Sequence, residues 1–365
     1  MGRPRVLVVD DSIVARHLVS TALASDGSVE VVGVAADGRV ALANIERLRP
    51  DAVTLDVDMP VMDGLETLEA IRERWPQLVV IMFSTYTARG AQITLDALAL
   101  GANDYVVKPS GTTSPTEAMA RIREELLPRI LTLCPDAPAD ETIRPTIVPE
   151  PVAPAAAPTA RIDVIAIGVS TGGPTALGTV LPQLPPRLPV PVLIVQHMPP
   201  MFTRVLAERL DRTSPVRVVE AADGHLLDGG GAWIAPGDRH MTVERTGAEV
   251  RIRTDVGPRE NSCRPSVDPL FRSVADAYGA HALGIVMTGM GSDGMRGARQ
   301  LHDSGARVIV QDETSSVVWG MPGFVVQSGV ADAIVPLDGL AAEIVRRLEV
   351  GRTRAPAQRP VGVGP

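Results

Sequence analysis

A serine flanked by glycines follows an apolar run of strand length and could serve as a nucleophile. The run Ile162–Val169 leads into the sequence Gly-Val-Ser-Thr-Gly-Gly-Pro over residues 168–174. Pro174 suits the first turn of a helix, where its missing N–H needs no partner. A sharp turn from strand to helix would expose the Ser170 hydroxyl and aim backbone N–H groups at a neighbouring anion. Because such loops also bind phosphate or form plain turns, the motif alone leaves those interpretations open.

A histidine and an aspartate follow two further strand-like runs. His197 comes directly after Val192–Gln196, and Asp293 lies in the glycine-rich loop after Leu283–Met287. The carboxyl ends of parallel strands meet at one edge of a sheet, so both side chains can reach Ser170. A serine needs a base whose pKa is near the working pH, and a carboxylate fixes the tautomer of that base. The sequence predicts a relay of Ser170, His197 and Asp293.

Three observations keep other interpretations of this region open. His240 also follows a turn and is a rival for the base. Asp293 with Gly294 could be turn chemistry combined with helix capping. Cys263 could be a thiol nucleophile, although no strand–turn–helix pattern surrounds it. The chain order of serine, histidine and acid also differs from that of the common α/β-hydrolases.

A second group of polar residues follows the strands of the N-terminal third. Asp10 and Asp11 come after Val6–Val9, and Asp56 comes after Ala52–Leu55. Three carboxylates at one edge would repel each other, and Mg²⁺ is the hard, oxygen-preferring cation that suits them. A carboxylate can also attack phosphorus and form an aspartyl phosphate. We expect Asp56 to accept the phosphoryl group and all three aspartates to hold the metal.

Two more strand ends complete this group. Ser84 follows Val79–Phe83 and could bond to the new phosphate, and Lys108 follows Asp104–Val107 and could neutralise its oxygens. Acids and a lysine often only solvate loops, but here each lies at a strand end, in order. The segments that carry the pattern are Val9–Ser12, Leu55–Pro60, Met62–Gly64 and Val107–Pro109. Over about 120 residues they resemble the receiver domain of response regulators. The resemblance implies a histidine kinase as phosphodonor and Tyr105 as an aromatic switch that rotates on phosphorylation.

Alternating strand-like and helix-like segments predict two α/β domains. Residues 1–134 should form a doubly wound, flavodoxin-like receiver, and residues 161–350 a Rossmann-like α/β domain with a mainly parallel sheet. Residues 135–160 are rich in proline and alanine and are typical of a linker. Residues 351–365 have the same character and are expected to be a disordered tail.

Composition restricts the function and the setting. The net charge of -8 disfavours nucleic-acid binding, which relies on cationic side chains. Two distant cysteines fit a reducing compartment. Because we find no leader pattern and no apolar run of membrane-spanning length, we expect a cytoplasmic protein.

Five motifs of the C-terminal half, taken in order, carry a further resemblance. They are Gly168–Gly173, Gln196–Pro200, Ile234–His240, Arg264–Asp268 and Met287–Gly294. Together they resemble the chemotaxis protein-glutamate methylesterase (CheB) family, whose architecture the receiver and linker complete. The resemblance implies hydrolysis of glutamate methyl esters, and deamidation of glutamines, on chemoreceptors, with no cofactor in the esterase site.

Further expectations depend on this resemblance. The backbone N–H groups of Thr171 and Met290 are candidates for stabilising the oxyanion, and Arg264 is a candidate for placing the acidic receptor helix. The receiver would cover the edge that carries Ser170 until phosphorylation releases it. A receiver-controlled receptor-binding module without hydrolytic activity is the alternative function. A DNA-binding regulator is disfavoured, since no basic recognition helix is found.

Overall fold

Each of the two predicted α/β units contains its own parallel sheet. The computed structural model describes residues 2–25, 27–109, 114–135 and 160–350. The expected linker, except for its two end residues, and the expected tail lie outside these ranges, so those predictions stand as made. None of the helices in the described ranges is long and apolar enough to cross a membrane.

The receiver unit has five strands in the order β2-β1-β3-β4-β5, and each neighbouring pair is parallel. The strands are β1 Arg5–Val9, β2 Glu30–Ala35, β3 Ala52–Asp56, β4 Val79–Ser84 and β5 Asp104–Val107. The helices are α1 Ile13–Ala24, α2 Gly38–Leu48, α3 Gly64–Arg74, α4 Ala88–Ala99 and α5 Pro115–Leu133. The doubly wound sheet is confirmed, with every predicted strand end within one residue.

Side-chain caps begin the receiver helices immediately after the strand ends. Ser12 caps α1 through the N–H of Ala15, and Thr87 caps α4 through the N–H of Gly90. Asp63 and Glu66 form a reciprocal capping box at the start of α3. These caps fix where each loop ends and so hold the polar residues at the carboxyl edge of the sheet.

The second unit, residues 160–350, is called the catalytic unit below because the sequence predicts a catalytic domain there. It has seven strands in the order β14-β13-β12-β6-β7-β9-β8, all paired in parallel. They are β6 Val164–Val169, β7 Val192–Gln196, β8 Val218–Glu220, β9 Ala232–Ile234, β12 Ala282–Val286, β13 Arg307–Gln311 and β14 Ala333–Val335. The chain starts at β6, extends the sheet on one side through β7, and returns to the other side at β12. Sites in such sheets lie at the carboxyl ends of the strands where this reversal occurs.

Helices and one hairpin surround this sheet. The helices are α6 Gly173–Val180, α7 Phe202–Thr213, α8 Val267–Tyr278, α9 Met295–Asp303, α10 Gly320–Gln327 and α11 Leu340–Leu348. The antiparallel hairpin joins β10 His240–Thr246 to β11 Glu249–Asp255. The hairpin is a separate two-stranded sheet, so the larger sheet is wholly parallel rather than only mainly so.

One apolar cluster extends across both units. It includes Leu95, Leu98 and Tyr105 of the receiver together with Phe202 and Leu206 of the catalytic unit. Phe202 is fully buried and Tyr105 is 9% exposed. Burying an aromatic side chain of this size stabilises by about 1.5–3 kcal/mol. The receiver is therefore packed onto the catalytic unit through an apolar contact.

Candidate functional site

Ser170 and His197 lie at adjacent positions on neighbouring strands. In the register of β6 and β7, Val169 is paired with Gln196, and the N–H of His197 donates to the carbonyl of Val169 at 3.2 Å. Each functional residue is therefore the first after its strand. The alternation of apolar runs and polar ends in the sequence was sufficient to predict this.

The turn that carries Ser170 is fixed by its backbone. Its N–H donates to the Thr288 carbonyl at 3.0 Å, and its carbonyl accepts from the Gln196 side chain at 3.0 Å. Gly172 has φ +78°, which favours glycine. A Cβ on Gly289 would lie 2.8 Å from the Ser170 Cβ, so the loop after β12 can approach only as glycine.

His197 and Asp293 form the closest contact of the predicted relay. His197 Nε2 lies 2.7 Å from Asp293 Oδ2, with side-chain exposures of 13% and 3%. Burial disfavours the charged imidazole, but the bonds with Asp293 and Cys263 outweigh it and raise the pKa of His197 to about 10. The geometry thus favours an imidazolium held against a carboxylate.

Asp293 is surrounded by hydrogen-bond donors. Its Oδ1 accepts from the side chains of Asn261 (2.8 Å) and Ser266 (2.7 Å) and from the N–H groups of Asp268 (3.2 Å) and Gly294 (2.9 Å). Its Oδ2 accepts from the N–H of Val267 at 2.7 Å as well as from His197. Burial opposes the charge, but these bonds, that with His197 foremost, lower the pKa of Asp293 to about 2. Asp293 does cap a helix, and it contacts His197 at the same time.

Ser170 and His197 are not hydrogen-bonded in this arrangement. Among the residues that the structure describes, the Ser170 hydroxyl has no hydrogen-bond partner. His197 Nδ1 lies 3.7 Å from Cys263 Sγ. Since Asp293 engages Nε2, the nitrogen left to accept a proton is Nδ1. Catalytic hydrogen bonds are often formed only when substrate binds, so the roles of these residues stay predictions.

The two oxyanion candidates have free backbone donors. Neither the N–H of Thr171 nor that of Met290 donates a hydrogen bond to any residue in the described ranges. Both belong to loops that surround Ser170, since Thr171 follows it directly and Met290 follows Gly289. Unpartnered N–H groups beside a nucleophile are suited to stabilising a developing negative charge.

The rival candidates have structural contacts. His240 is 3% exposed; its Nε2 lies 2.8 Å from the Pro258 carbonyl and its Nδ1 accepts from the N–H of Ser266 at 3.3 Å.

Arg264 bonds to Asp238 at 2.7 Å and to the carbonyls of Val256 and Gly257. Its guanidinium therefore anchors loops, and it also lines the groove beside His197, so the substrate-placing role stays a prediction.

The receiver carboxylates gather as predicted at one edge of their sheet. Oxygens of Asp10, Asp11 and Asp56 all lie within 4.8 Å of one another. Lys108 Nζ is 2.8 Å from both Asp10 and Asp56. Burial is the largest influence on Asp56 and raises its pKa to about 6, although Lys108 acts in the opposite direction. Three hard oxygen donors beside a single ammonium group fit a divalent cation such as Mg²⁺.

The predicted switch residues connect this site to the catalytic unit. The Ser84 hydroxyl is buried and donates to the Gly90 carbonyl at 3.2 Å. Tyr105 lies against Phe202 with ring centroids 5.1 Å apart and planes inclined by 8°. Phe202 begins α7, only five residues after His197.

Tyr86 and Asp104 of the receiver contact the loops around the relay. The Tyr86 hydroxyl donates to the Pro200 carbonyl at 2.9 Å, and Asp104 Oδ2 accepts from the Thr171 hydroxyl at 3.0 Å. A groove of about 620 Å³ remains between the units, lined by His197 and Cys263 on one side and by Lys108 and Arg129 on the other.

Sequence reasoning missed Asp104, Phe202 and Asn261. Asp104 is predicted only as the first residue of a strand, and no motif points to Phe202. Their contacts join segments that are far apart in the sequence, so no local pattern predicts them. Asn261 could have been found, since Asn-Ser between Glu260 and Cys263 is typical of a tight turn.

Comparisons with known proteins identify a family for each unit. Residues 6–120 match the response regulator receiver domain family, and residues 165–344 match the CheB methylesterase family. A protein-glutamate methylesterase/protein-glutamine glutaminase of Trichodesmium erythraeum is 48% identical over 95% of this chain and 100% of that protein. The chain belongs to the CheB methylesterase family.

Two further comparisons support this membership. A second protein-glutamate methylesterase/protein-glutamine glutaminase, from a Nocardioides species, is 51% identical over 94% of this chain and 95% of that protein. The crystal structure of the Thermotoga maritima CheB methylesterase catalytic domain covers 51% of this chain and 99% of that domain, at 38% identity and a TM-score of 0.50. The CheB resemblance and the two-part α/β fold expected from the sequence are confirmed.

Proposed function

We propose that this CheB-family chain hydrolyses the methyl esters of glutamate side chains on chemoreceptors, and deamidates receptor glutamines, under the control of phosphorylation at Asp56. The observation that carries the proposal is the 2.7 Å contact between His197 and Asp293 at the strand end adjacent to Ser170. The names of the full-length relatives give the substrate class.

The proposed hydrolysis uses Ser170, His197 and Asp293 at the carboxyl edge of the sheet. Ser170 attacks the ester carbonyl as His197 Nδ1 takes its proton, and Asp293 stabilises the imidazolium through Nε2. The proton then passes to the leaving methoxide, which departs as methanol, and water repeats the sequence to free the glutamate. The N–H groups of Thr171 and Met290 stabilise the tetrahedral oxyanion, each contributing roughly 3 kcal/mol.

The receiver controls access to this edge. In the packed arrangement Asp104 holds Thr171, and Tyr86 and Tyr105 hold the connection that follows His197. A phosphoryl group on Asp56 attracts the Ser84 hydroxyl, and the space this leaves lets Tyr105 turn away from Phe202. Loss of that stack shifts the population toward an open arrangement that admits a receptor helix.

Asp10, Asp11 and Asp56 would hold Mg²⁺ in the receiver. When bound, the ion neutralises phosphate oxygens during phosphoryl transfer. Lys108, 2.8 Å from Asp56, supplies a second positive charge to the phosphoryl group. A histidine kinase of the chemotaxis pathway is the proposed phosphodonor, and a cytoplasmic location follows from these partners.

Incubating the purified chain with methylated receptor fragments tests the proposal. We expect mass spectrometry to show loss of methyl groups, faster with a small-molecule phosphodonor and Mg²⁺ than without them. Ser170→Ala should abolish this while binding to receptor fragments persists. Normal turnover by that variant would exclude Ser170 as nucleophile. Equal rates with and without phosphodonor would exclude receiver control.

A further inference from the structure

A tight turn beside the relay presents one side chain to two buried carboxylates. Glu260 and Cys263 exchange backbone hydrogen bonds of 3.1 and 2.8 Å. The central residues Asn261 and Ser262 have φ 50° and 63°, the type I′ combination in which asparagine is favoured. Arg272 of α8 bonds to Glu260 at 2.9 and 2.6 Å and so anchors the turn.

The Asn261 amide lies between the two carboxylates. Its Nδ2 is 2.8 Å from Asp293 Oδ1 and 2.9 Å from Asp268 Oδ2. An amide NH₂ group has two hydrogens, so each carboxylate receives one. Asp268 and Asp293 are only 1% and 2% exposed. Two buried carboxylates at this distance repel each other when both are ionised, and a hydrogen-bond donor shared by both offsets that repulsion.

The two carboxylates also brace each other's helices. Asp293 accepts from the N–H groups of Val267 and Asp268 at the start of α8. Asp268 in turn accepts from the N–H of Gly297 in the first turn of α9, at 2.7 Å. Asn261 connects this pair without belonging to either helix, so its amide can be removed while both helix caps remain.

We propose that Asn261 is a positioning residue of the esterase, whose amide bridges Asp268 and Asp293 and keeps Asp293 ionised and directed at His197. The inference depends on the proposed hydrolytic function. Asn261 is exposed to solvent outside this contact, so its side chain has no large packing role.

The charged groups around Asp293 set the direction of the expected effect. They are His197 at the end of β7, Glu260 and Cys263 of the turn, and Asp268 and Arg272 of α8. Without the Asn261 amide, Asp293 loses one hydrogen-bond donor, and its negative charge interacts more strongly with the His197 imidazolium. The imidazolium then persists to higher pH, and the acidic limb of kcat/KM moves upward.

Asn261→Gly in the full chain is the test, with Ser262→Gly as its matched control. Glycine tolerates the positive φ of both positions, so neither change strains the turn. We expect Asn261→Gly to lower kcat about tenfold with little change in KM, comparable to the loss of an orienting partner in other sites. Its acidic limb should lie at higher pH than that of the parent, and Ser262→Gly should match the parent.

Two further measurements separate the possible failures. Asn261→Asp keeps the shape of the side chain but replaces both donors by acceptors, and should be less active than Asn261→Gly. The NMR resonance of the His197 Nε2 proton should move in both variants, even without substrate. If the parent chain has no esterase activity, the proposed function is wrong. The NMR measurement would still test whether Asn261 acts on His197 through Asp293. Variants whose kcat, pH profile and resonance all match Ser262→Gly would overturn the role of Asn261.

Discussion

Each unit has one buried carboxylate at its site, Asp56 in the receiver and Asp293 in the catalytic unit. The two occupy similar places, but their pKa values are shifted in opposite directions. Both lie at the carboxyl edge of a parallel sheet, Asp56 as the last residue of β3 and Asp293 in the loop after β12, and both are 2% exposed. Asp293 accepts from donors on both oxygens, four of them on Oδ1, and its pKa falls to about 2. Within the ranges that the structure describes, Asp56 has one backbone donor, Val57, besides Lys108, and burial raises its pKa to about 6.

This difference matches the role proposed for each carboxylate. An orienting acid must stay charged and immobile, and a dense shell of N–H and O–H donors achieves both. A phosphoryl acceptor must offer its oxygens to a cation and to phosphorus, so it has few protein donors of its own. A carboxylate's hydrogen-bond partners therefore separate the two functions better than its burial does.

The strongest way to break the comparison is Asp293→Asn. The amide keeps one accepting oxygen but puts an NH₂ group at the other position, where it faces donors that it cannot accept from, so we expect kcat to fall about 10⁴-fold. Leaving those buried donors unpaired should also destabilise the fold by roughly 3 kcal/mol. Turnover and thermal unfolding measure the two effects. Ser170→Ala is the control, since it should lose turnover without losing stability. If Asp293→Asn is as stable as the parent chain, the hydrogen bonds around Asp293 do not stabilise the fold as expected.

Asp56→Asn removes the proposed phosphoryl acceptor of the receiver. Without a nucleophilic oxygen no aspartyl phosphate forms, so the stimulation of ester hydrolysis by a phosphodonor should disappear completely. Asp58→Asn is the matched control, because Asp58 is exposed and pairs only loosely with Arg89 at 3.7 Å. Rates with and without phosphodonor give the answer, and stimulation of the Asp56 variant equal to that of the Asp58 variant would be inconsistent with the assignment.

Tyr86→Phe sharpens the connection between the two sites. Losing the hydroxyl bond to the Pro200 carbonyl should weaken receiver docking by about 1 kcal/mol. Hydrolysis without phosphodonor should then rise several-fold, while hydrolysis with phosphodonor changes little. Tyr278→Phe makes the same chemical change on α8, beside Arg245 and away from the receiver contact. Equal behaviour of the two variants would show that the packed arrangement does not limit activity.

Cys263→Ala should give the smallest effect, a shift of the pH profile. The thiol contributes to the raised pKa of His197, and with that pKa at about 10 the base becomes available only as pH rises. Removing the thiol lowers the pKa of His197, so the acidic limb of kcat/KM should move to lower pH, by roughly one unit or less. Cys134→Ala, in the receiver, is the control. An upward shift, or none, would mean that Cys263 does not act on Nδ1.

The positions of strands and strand-end residues could be predicted, because buried parallel strands are continuous runs of Val, Ile and Leu. Ser170, His197, Asp56 and Lys108 follow such runs directly. The three-residue strands β8 and β14 were missed, since periodicity needs longer segments. The 3.7 Å contact of Cys263 with His197, and the contact of Asp104 with Thr171, depend on how distant segments pack, which no local pattern encodes.

The mutual bracing of α8 and α9 also has a consequence for synthesis of the chain. Ser170 and His197 emerge from the ribosome about a hundred residues before Asp293, and the carboxylate is held only once both helices have formed. If the proposed mechanism holds, a nascent chain contains its nucleophile and base before its acid is oriented. We then expect an unfinished chain to leave receptor esters intact until the C-terminal half has folded.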